Sequence, residues 1–170
     1  LIHLDGTPYK SRLGANAILG VSLAVAAAAA DTSRQPLYAI LRRQKEYVLP
    51  VPMLNIINGA KHAGNQLSVQ EFQVMPLGFT QFPEALRAGV ETYHTLGALL
   101  QKRYGVAAKN LGDEGGFAPP MSQTRDALNV IVQAVEEAGY RPGNDICLGI
   151  DAAASEVFKG GTHSSDGRRL

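Results

Sequence analysis

The sequence predicts a protein of the α/β class. From Tyr47 onward, short apolar runs alternate with longer stretches in which apolar residues recur at steps of three and four. The first pattern is typical of buried strands, and the second is typical of helices with one apolar face. The predicted order is strand, strand, helix, a loop rich in glycine, helix, strand, which places this part of the chain in the α/β class.

The composition fits an ordinary soluble globular protein. The chain has 170 residues, of which 45% are apolar and 18% are charged. This length is enough for one domain with a core, or for part of a larger protein. The net charge is +1 and the basic residues are scattered, so we expect no nucleic-acid partner and no anionic membrane surface.

Cys147 is the single cysteine, so the 170 residues cannot form a disulfide among themselves. It lies in an apolar run, which favours a buried, inert thiol over a nucleophile. This pattern is consistent with a reducing compartment, and we expect a cytoplasmic protein.

The alanine-rich stretch Leu13–Ala30 predicts a helix, because alanine has the highest helix propensity and no proline interrupts it. A signal peptide and a membrane span are the two alternatives. Asn16, Gly20 and Ser22 interrupt the apolar run, which is also short for a span. We therefore expect a buried helix and no membrane span.

A second helix is predicted from Pro36 to about Lys45, since proline is favoured at the first helical position. The pattern changes to a strand type at Tyr47. We place a domain boundary near Glu46, which divides the chain into residues 1–46 and 47–170.

The second part contains the predicted α/β elements. Strands are expected at Tyr47–Ile57, Glu71–Leu77 and Ile146–Ile150, and helices at Pro83–Tyr104 and Thr124–Ala138. Gly78 and Gly139 supply the stop signals after the second strand and the second helix.

The glycine-rich loop has the sequence NLGDEGGFAPP, from Asn110 to Pro120. Its two adjacent carboxylates, Asp113 and Glu114, repel each other unless a cation, a basic group or a proton lies between them. Glycine lets a ligand or another segment approach closely. A solvated turn is the alternative interpretation, because Asp and Gly are common turn residues.

Polar side chains follow strands, open a strand or lie on glycine-bearing loops. In barrel enzymes, catalytic groups come from the C-terminal ends of strands and from the loops that follow them. Three separate segments supply Glu71, Glu114 and Asp151, a loop supplies His62, and Gln70 opens the second strand with Glu71. Mg²⁺ prefers oxygen ligands and takes only a few carboxylates, so the remaining carboxylates could transfer protons. For Asp151 taken alone, a turn-forming aspartate is an equally good interpretation.

The chain resembles the enolase family, which dehydrates 2-phosphoglycerate. The matching stretches are SRLGANAILGVSLAVA, LPVPMLNIINGAKHAG, VQEFQVMPLG, NLGDEGGFAPP and LGIDAAASE. They cover nearly all of Ser11 to Phe158 in the family's order and spacing. The combination of GDEGGFAP, HAG and QEF is specific to this family.

The resemblance implies two domains: the end of an N-terminal α+β domain up to Glu46, and from Tyr47 the first part of a modified (β/α)₈ barrel. It implies reversible, Mg²⁺-dependent conversion of 2-phosphoglycerate to phosphoenolpyruvate in glycolysis, by a cytoplasmic homodimer. A metal-stabilised ene-diolate is the strategy of this superfamily.

The resemblance also assigns roles to individual residues. Glu114 is the general acid for departure of the hydroxyl group, and Glu71 assists it. His62, Gln70 and Glu71 contact the substrate, and His62 belongs with Glu114 and Glu71 to the catalytic residues. Asp151 is a ligand of the tightly held Mg²⁺.

Three features depart from the family pattern. Ala60 replaces a glycine that is usual in the family, and the polar segment Gly160–Asp166 fits poorly. The family's lysine base and its remaining metal ligands match nothing in these 170 residues. We therefore expect the 170 residues alone to be inactive, and a non-catalytic binding or assembly module is the alternative function. A different metal-dependent lyase of the same superfamily is disfavoured by GDEGGFAP.

Overall fold

The computed structural model describes residues 1–42, 46–60, 63–165 and 168–169. The chain divides into two compact units, Leu1–Val48 and Leu49–Leu170. The first unit contains three helices, which are α1 (Ile2–Asp5), α2 (Ala15–Ser33) and α3 (Leu37–Leu41). The buried Asp5 carboxylate fixes the segment before α2, since its Oδ2 accepts from the backbone N–H of Arg12 at 3.0 Å and of Leu13 at 2.7 Å.

Helix α2 forms as predicted, but the expectation that it is buried is wrong in this structure. Ala30 is its one buried residue, whereas Leu23 is 53% exposed and Val25 is 65% exposed. The described part of this unit contains no strand or second long helix that could cover the apolar side chains of α2. Within the described residues, α2 is the one helix that is long and apolar enough to cross a membrane. The core helices of soluble proteins and signal sequences can have the same length and composition.

Helix α3 is shorter than predicted. Pro36 is its N-cap in extended backbone rather than its first helical residue, and the helix ends at Leu41. The predicted end at Lys45 lies outside the described residues.

The second unit is built on a three-stranded sheet. Its strands are β1 (Leu54–Asn58), β2 (Glu71–Met75) and β3 (Cys147–Asp151), in the order β1-β2-β3 with antiparallel pairs. The first strand begins later than predicted, at Leu54, after a segment that contains Pro50 and Pro52, which have no N–H to donate to a sheet.

Two helices cover the sheet, and they match the predicted ranges within a residue at each end. They are α4 (Phe82–Tyr104) and α5 (Thr124–Glu137), and a short 3₁₀ helix at Val106–Lys109 follows α4. The apolar faces of the helices and the sheet form one core. Its fully buried members include Ile56, Ile57, Phe72, Val74, Leu96, Leu100, Val130, Ile131 and Val135. The mixture of helices with a sheet confirms the predicted α/β class.

The sheet has one apolar face and one polar face. Along β2, Phe72 and Val74 are buried in the core, while Glu71 and Gln73 are half-buried. Because neighbouring side chains on a strand point to opposite faces, Glu71 and Gln73 lie on the face away from Phe72. This polar face carries the residues of the candidate site.

The segment after β3 forms a second small sheet. Helix α6 (Ala154–Val157) is followed by β4 (Phe158–Lys159), β5 (Thr162–Ser165) and β6 (Arg168–Arg169), paired antiparallel in that order. The polar segment Gly160–Asp166 fits the family pattern poorly. Its described residues form the turn between β4 and β5 and then strand β5.

Gly97 allows close packing between α4 and the glycine-rich loop. A Cβ atom at this position would lie 2.8 Å from Cζ of the buried Phe117. Such a distance is too short for two carbon atoms, so Phe117 or the helix would have to move.

Gly97→Ala is therefore expected to destabilise the protein. Overpacking a core costs about 1–3 kcal/mol, and the gain in helix propensity offsets only about 1 kcal/mol. We expect a net loss of roughly 1 kcal/mol in urea unfolding. The matched control is Thr95→Ala on the same helix, where the Thr95 hydroxyl donates to the carbonyl of Glu91 at 2.9 Å. A control variant that loses as much stability as Gly97→Ala would contradict the packing argument.

Candidate active site on the polar face of the sheet

The glycine-rich loop is joined to strand β1 through the backbone. The N–H of Phe117 donates to the carbonyl of Ile56 at 3.0 Å, and the N–H of Asn58 donates to the carbonyl of Phe117 at 2.9 Å. Gly116 must be glycine here, because a Cβ would lie 2.7 Å from Oδ1 of Asn58. Gly115 has φ 82, in the left-handed region that favours glycine. The loop thus turns sharply directly after Glu114.

Two asparagines hold the Glu114 carboxylate. The side-chain amides of Asn55 and Asn58 each donate from Nδ2 to Oε2 of Glu114 at 3.0 Å. Asn58 is fully buried, and its Oδ1 accepts from the N–H of Gly116 at 2.9 Å. One buried side chain therefore fixes both the Glu114 carboxylate and the loop backbone two residues later.

Neither asparagine was predicted from the sequence as a site residue. Residues three apart on a regular strand point to opposite faces. The register between β1 and β2 shifts between Asn55 and Ile57, however, and this irregularity brings Asn55 and Asn58 to the same carboxylate. The available signal was two amides in the apolar run LNIIN, where a polar side chain needs a partner.

Glu71 begins β2 beside the glycine-rich loop. Nε2 of Gln73 donates to its Oε2 at 2.6 Å. Burial raises the pKa of Glu71, and a hydrogen bond with Glu114 and the negative charges of Glu114 and Asp151 raise it further, against the lowering effect of Gln73. These surroundings favour the protonated form of the Glu71 carboxyl group.

Asp151 ends β3 directly opposite Glu71 in the sheet register. The side chain is exposed, its Oδ1 accepts from the N–H of Ala153 at 2.8 Å, and its main-chain carbonyl accepts from the N–H of Gln70 at 3.1 Å. Asp151 thus forms a local turn and also presents a carboxylate to the site. The bond to Ala153 is the contact expected of a turn-forming aspartate, and the role of Asp151 as a metal ligand stays a prediction.

The polar face of the sheet offers a hard cation such as Mg²⁺ only a small number of oxygen ligands among the described residues. Among the residues that the structure describes, no group of three or more His, Cys, Asp or Glu side chains is arranged to hold a metal ion. Asp151 is an exposed carboxylate at a strand end, which suits Mg²⁺ as one ligand among several. Glu114 and Glu71 are instead engaged with amide donors and with each other.

The loop that carries the predicted histidine begins and ends at well-defined contacts. The N–H of Gly59 donates to the carbonyl of Gln70 at 2.8 Å, and the N–H of Ala60 donates to the carbonyl of Leu67 at 2.9 Å. Nδ2 of Asn65 bridges the carbonyls of Asn58 (3.0 Å) and Pro119 (3.1 Å). Ala60 has φ 51, a conformation in which glycine is less strained.

The structure thus groups three predicted site residues, Glu71, Glu114 and Asp151, on one face of the sheet. Gln70 is half-buried and is joined to the group through its main chain. His62 lies outside the described residues. Cys147, at the far end of β3, is half-buried and its Sγ lies 3.6 Å from the carbonyl oxygen of Gly143.

Comparison with known proteins covers nearly the whole chain. A family model described as "Enolase, N-terminal domain" matches residues 1–41, and one described as "Enolase, C-terminal TIM barrel domain" matches residues 46–168. The chain is 57% identical to the enolase of Methanopyrus kandleri over 99% of its length, and 54% identical to those of Aeropyrum pernix and Methanocaldococcus jannaschii over 100%. It spans about 40% of the length of these curated relatives. The predicted family and fold are confirmed.

The raised pKa of Glu71 predicts how stability changes with pH. A carboxyl group whose pKa is raised by folding stabilises the fold while it is protonated. This stabilising contribution is complete when the pH is below the ordinary glutamate pKa of 4.5. It is lost as the pH rises through the raised pKa of Glu71. Glu71→Gln cannot ionise, and its amide carries N–H donors that can meet the neighbouring Glu114 carboxylate. We expect this variant to be more stable than wild type at neutral pH and to lack the wild-type decline from pH 4.5 upward.

Thermal unfolding of the full-length protein between pH 4 and pH 8 measures this difference. The matched control is Glu136→Gln, which removes an exposed carboxylate from α5. If Glu71→Gln and wild type lose stability in parallel over that range, the carboxyl pair does not control the pH dependence.

Proposed function

Because the chain belongs to the enolase family, we propose that the full-length protein catalyses the reversible dehydration of 2-phosphoglycerate to phosphoenolpyruvate. The observation that carries this proposal is the Glu114 carboxylate, which Asn55 and Asn58 hold beside Glu71 on the polar face of the sheet. A dehydration of this kind requires a proton donor for the departing hydroxyl group. The curated relatives that the chain resembles are named enolases.

In this proposal Glu114 delivers the proton. The amides of Asn55 and Asn58 hold Oε2 of Glu114, which sets the direction of the carboxyl group. Glu71 lies beside Glu114, and its pKa is raised by burial and by the charge of Glu114, so Glu71 would supply the proton that Glu114 passes to the leaving group. A general acid held in place in this way lowers the barrier without reorganisation at the moment of reaction.

We propose Mg²⁺ as the cofactor, with Asp151 as one of its ligands. When bound, the metal would stabilise negative charge that develops on the substrate. The exposed position of Asp151 at the end of β3 supports this assignment. By the family resemblance, His62 and Gln70 contact the substrate together with Glu71.

Two properties of the whole protein complete the proposal. We propose a homodimer in the cytoplasm, on the basis of the family resemblance. A single cysteine without a disulfide partner in these residues fits a reducing compartment.

Glu114→Gln in the full-length protein is expected to fold normally and to lower kcat by ~10²–10⁴-fold, because an amide cannot deliver the proton. Phosphoenolpyruvate absorbance in the presence of 2-phosphoglycerate and Mg²⁺ measures the rate. The matched control is Asp113→Asn on the same loop, for which we expect a much smaller loss. Turnover of Glu114→Gln within a few-fold of wild type would exclude Glu114 as the general acid.

Asp151→Ala is expected to weaken Mg²⁺ binding and to remove activity together, because the metal would lose a carboxylate ligand. Titration calorimetry measures the affinity in the full-length protein. The control is Asp145→Asn near the other end of β3, where Asp145 pairs with Arg141 at 2.7 Å. Unchanged Mg²⁺ affinity in Asp151→Ala would make Asp151 a turn-forming residue only.

A further inference from the structure

One peptide group of the glycine-rich loop is hydrogen-bonded from both ends. Oη of Tyr93 on α4 donates to the carbonyl of Gly115 at 2.9 Å. The N–H of Gly116, which belongs to the same peptide group, donates to Oδ1 of Asn58 at 2.9 Å. The orientation of this peptide is thus fixed between helix α4 and strand β1.

The same contacts extend to the carboxyl group of the proposed general acid. Asn58 holds the peptide through Oδ1 and holds Oε2 of Glu114 through Nδ2, at 3.0 Å. Glu114 directly precedes Gly115, so a rotation of the Gly115–Gly116 peptide would move the backbone that carries the Glu114 side chain. Gly115 resists such a rotation poorly, because glycine has a wide range of backbone angles.

Tyr93 is itself held rigidly. Its ring stacks on Phe117 with a centroid distance of 4.4 Å and an interplanar angle of 13°. Gly97, one turn later on α4, leaves the space that Phe117 occupies. Leu96 and Leu100 anchor this part of the helix in the core with no exposed surface. A donor on a packed helix positions its acceptor better than a donor on a loop does.

The Tyr93 hydroxyl also stays a donor under working conditions. Burial raises the pKa of Tyr93 above its ordinary value of 10.0. The hydroxyl group therefore keeps its proton throughout the neutral range.

We propose that Tyr93 is a positioning residue for the dehydration reaction, because it sets the Glu114 carboxyl group through the Gly115–Gly116 peptide. This inference rests on the proposed function. Tyr93 acts through the loop and not on the substrate.

Tyr93→Phe in the full-length protein tests the inference, since it removes the hydroxyl and keeps the ring that stacks on Phe117. We expect kcat to fall about tenfold with KM within about twofold, because misplacing a catalytic group by a fraction of an ångström weakens the transition state more than substrate binding. We also expect faster amide hydrogen exchange in a peptide that covers residues 110–118. Incorporation of 4-aminophenylalanine at position 93 restores a donor at the same end of the ring and should restore both readouts.

Tyr140→Phe is the matched control. The Tyr140 hydroxyl also bonds to α4, through the Glu91 carboxylate, but not to the glycine-rich loop. We expect this variant to keep the wild-type kcat and the wild-type exchange rate at residues 110–118.

The outcomes separate this inference from the proposed function. If wild type converts 2-phosphoglycerate and Tyr93→Phe keeps its kcat within twofold, or if 4-aminophenylalanine fails to restore a lost kcat, Tyr93 is not a positioning residue. If wild type does not convert 2-phosphoglycerate, the proposed function fails, and the positioning role for that reaction fails with it. Faster exchange in Tyr93→Phe but not in Tyr140→Phe would then still show that Tyr93 holds the loop.

Discussion

The candidate site depends on the antiparallel pairing of β2 with both of its neighbours. This register places Asn58 opposite Glu71 on one side and Asp151 opposite Glu71 on the other. Since Phe72 and Val74 of the same strand are buried in the core beneath α4 and α5, Glu71 must lie on the opposite face. A shift by one residue would exchange the faces and bury the carboxylate in the core. The core therefore fixes the site.

Grouping acidic residues on one face works against stability, and the surrounding side chains limit that effect. The pKa of Glu71 is raised by burial and by the negative charges of Glu114 and Asp151. Gln73 supplies a donor to Glu71, and Asn55 supplies one to Glu114. These amides compensate part of the repulsion without adding charge. Functional sites commonly retain such unfavourable interactions.

The sequence predicted the parts of the fold that follow from periodicity. Helices α4 and α5 were predicted within a residue because their apolar faces repeat over many turns. The prediction that α2 is buried was wrong. An apolar composition shows that a helix surface can be buried, but it does not show which segment covers that surface. The sequence also predicted that Glu71, Glu114 and Asp151 belong together. The two amides in the apolar run LNIIN indicated that polar partners were needed, but the sequence could not identify Glu114 as that partner, because the register shift that aligns Asn55 and Asn58 cannot be read from residue types.

The glycine-rich loop satisfies two opposed requirements. Gly116 must lack a side chain to approach Asn58, yet glycine leaves the backbone free to rotate. Contacts from outside the loop restore the lost rigidity. On α4, Gly97 leaves space for the Phe117 ring. One turn earlier, Tyr93 stacks on that ring and donates a hydrogen bond to the carbonyl of Gly115. Residues four apart lie on the same face of a helix. This face of α4 therefore belongs to the core and also supports the carboxyl group of Glu114, so a substitution that repacks it should disturb the site as well as the fold.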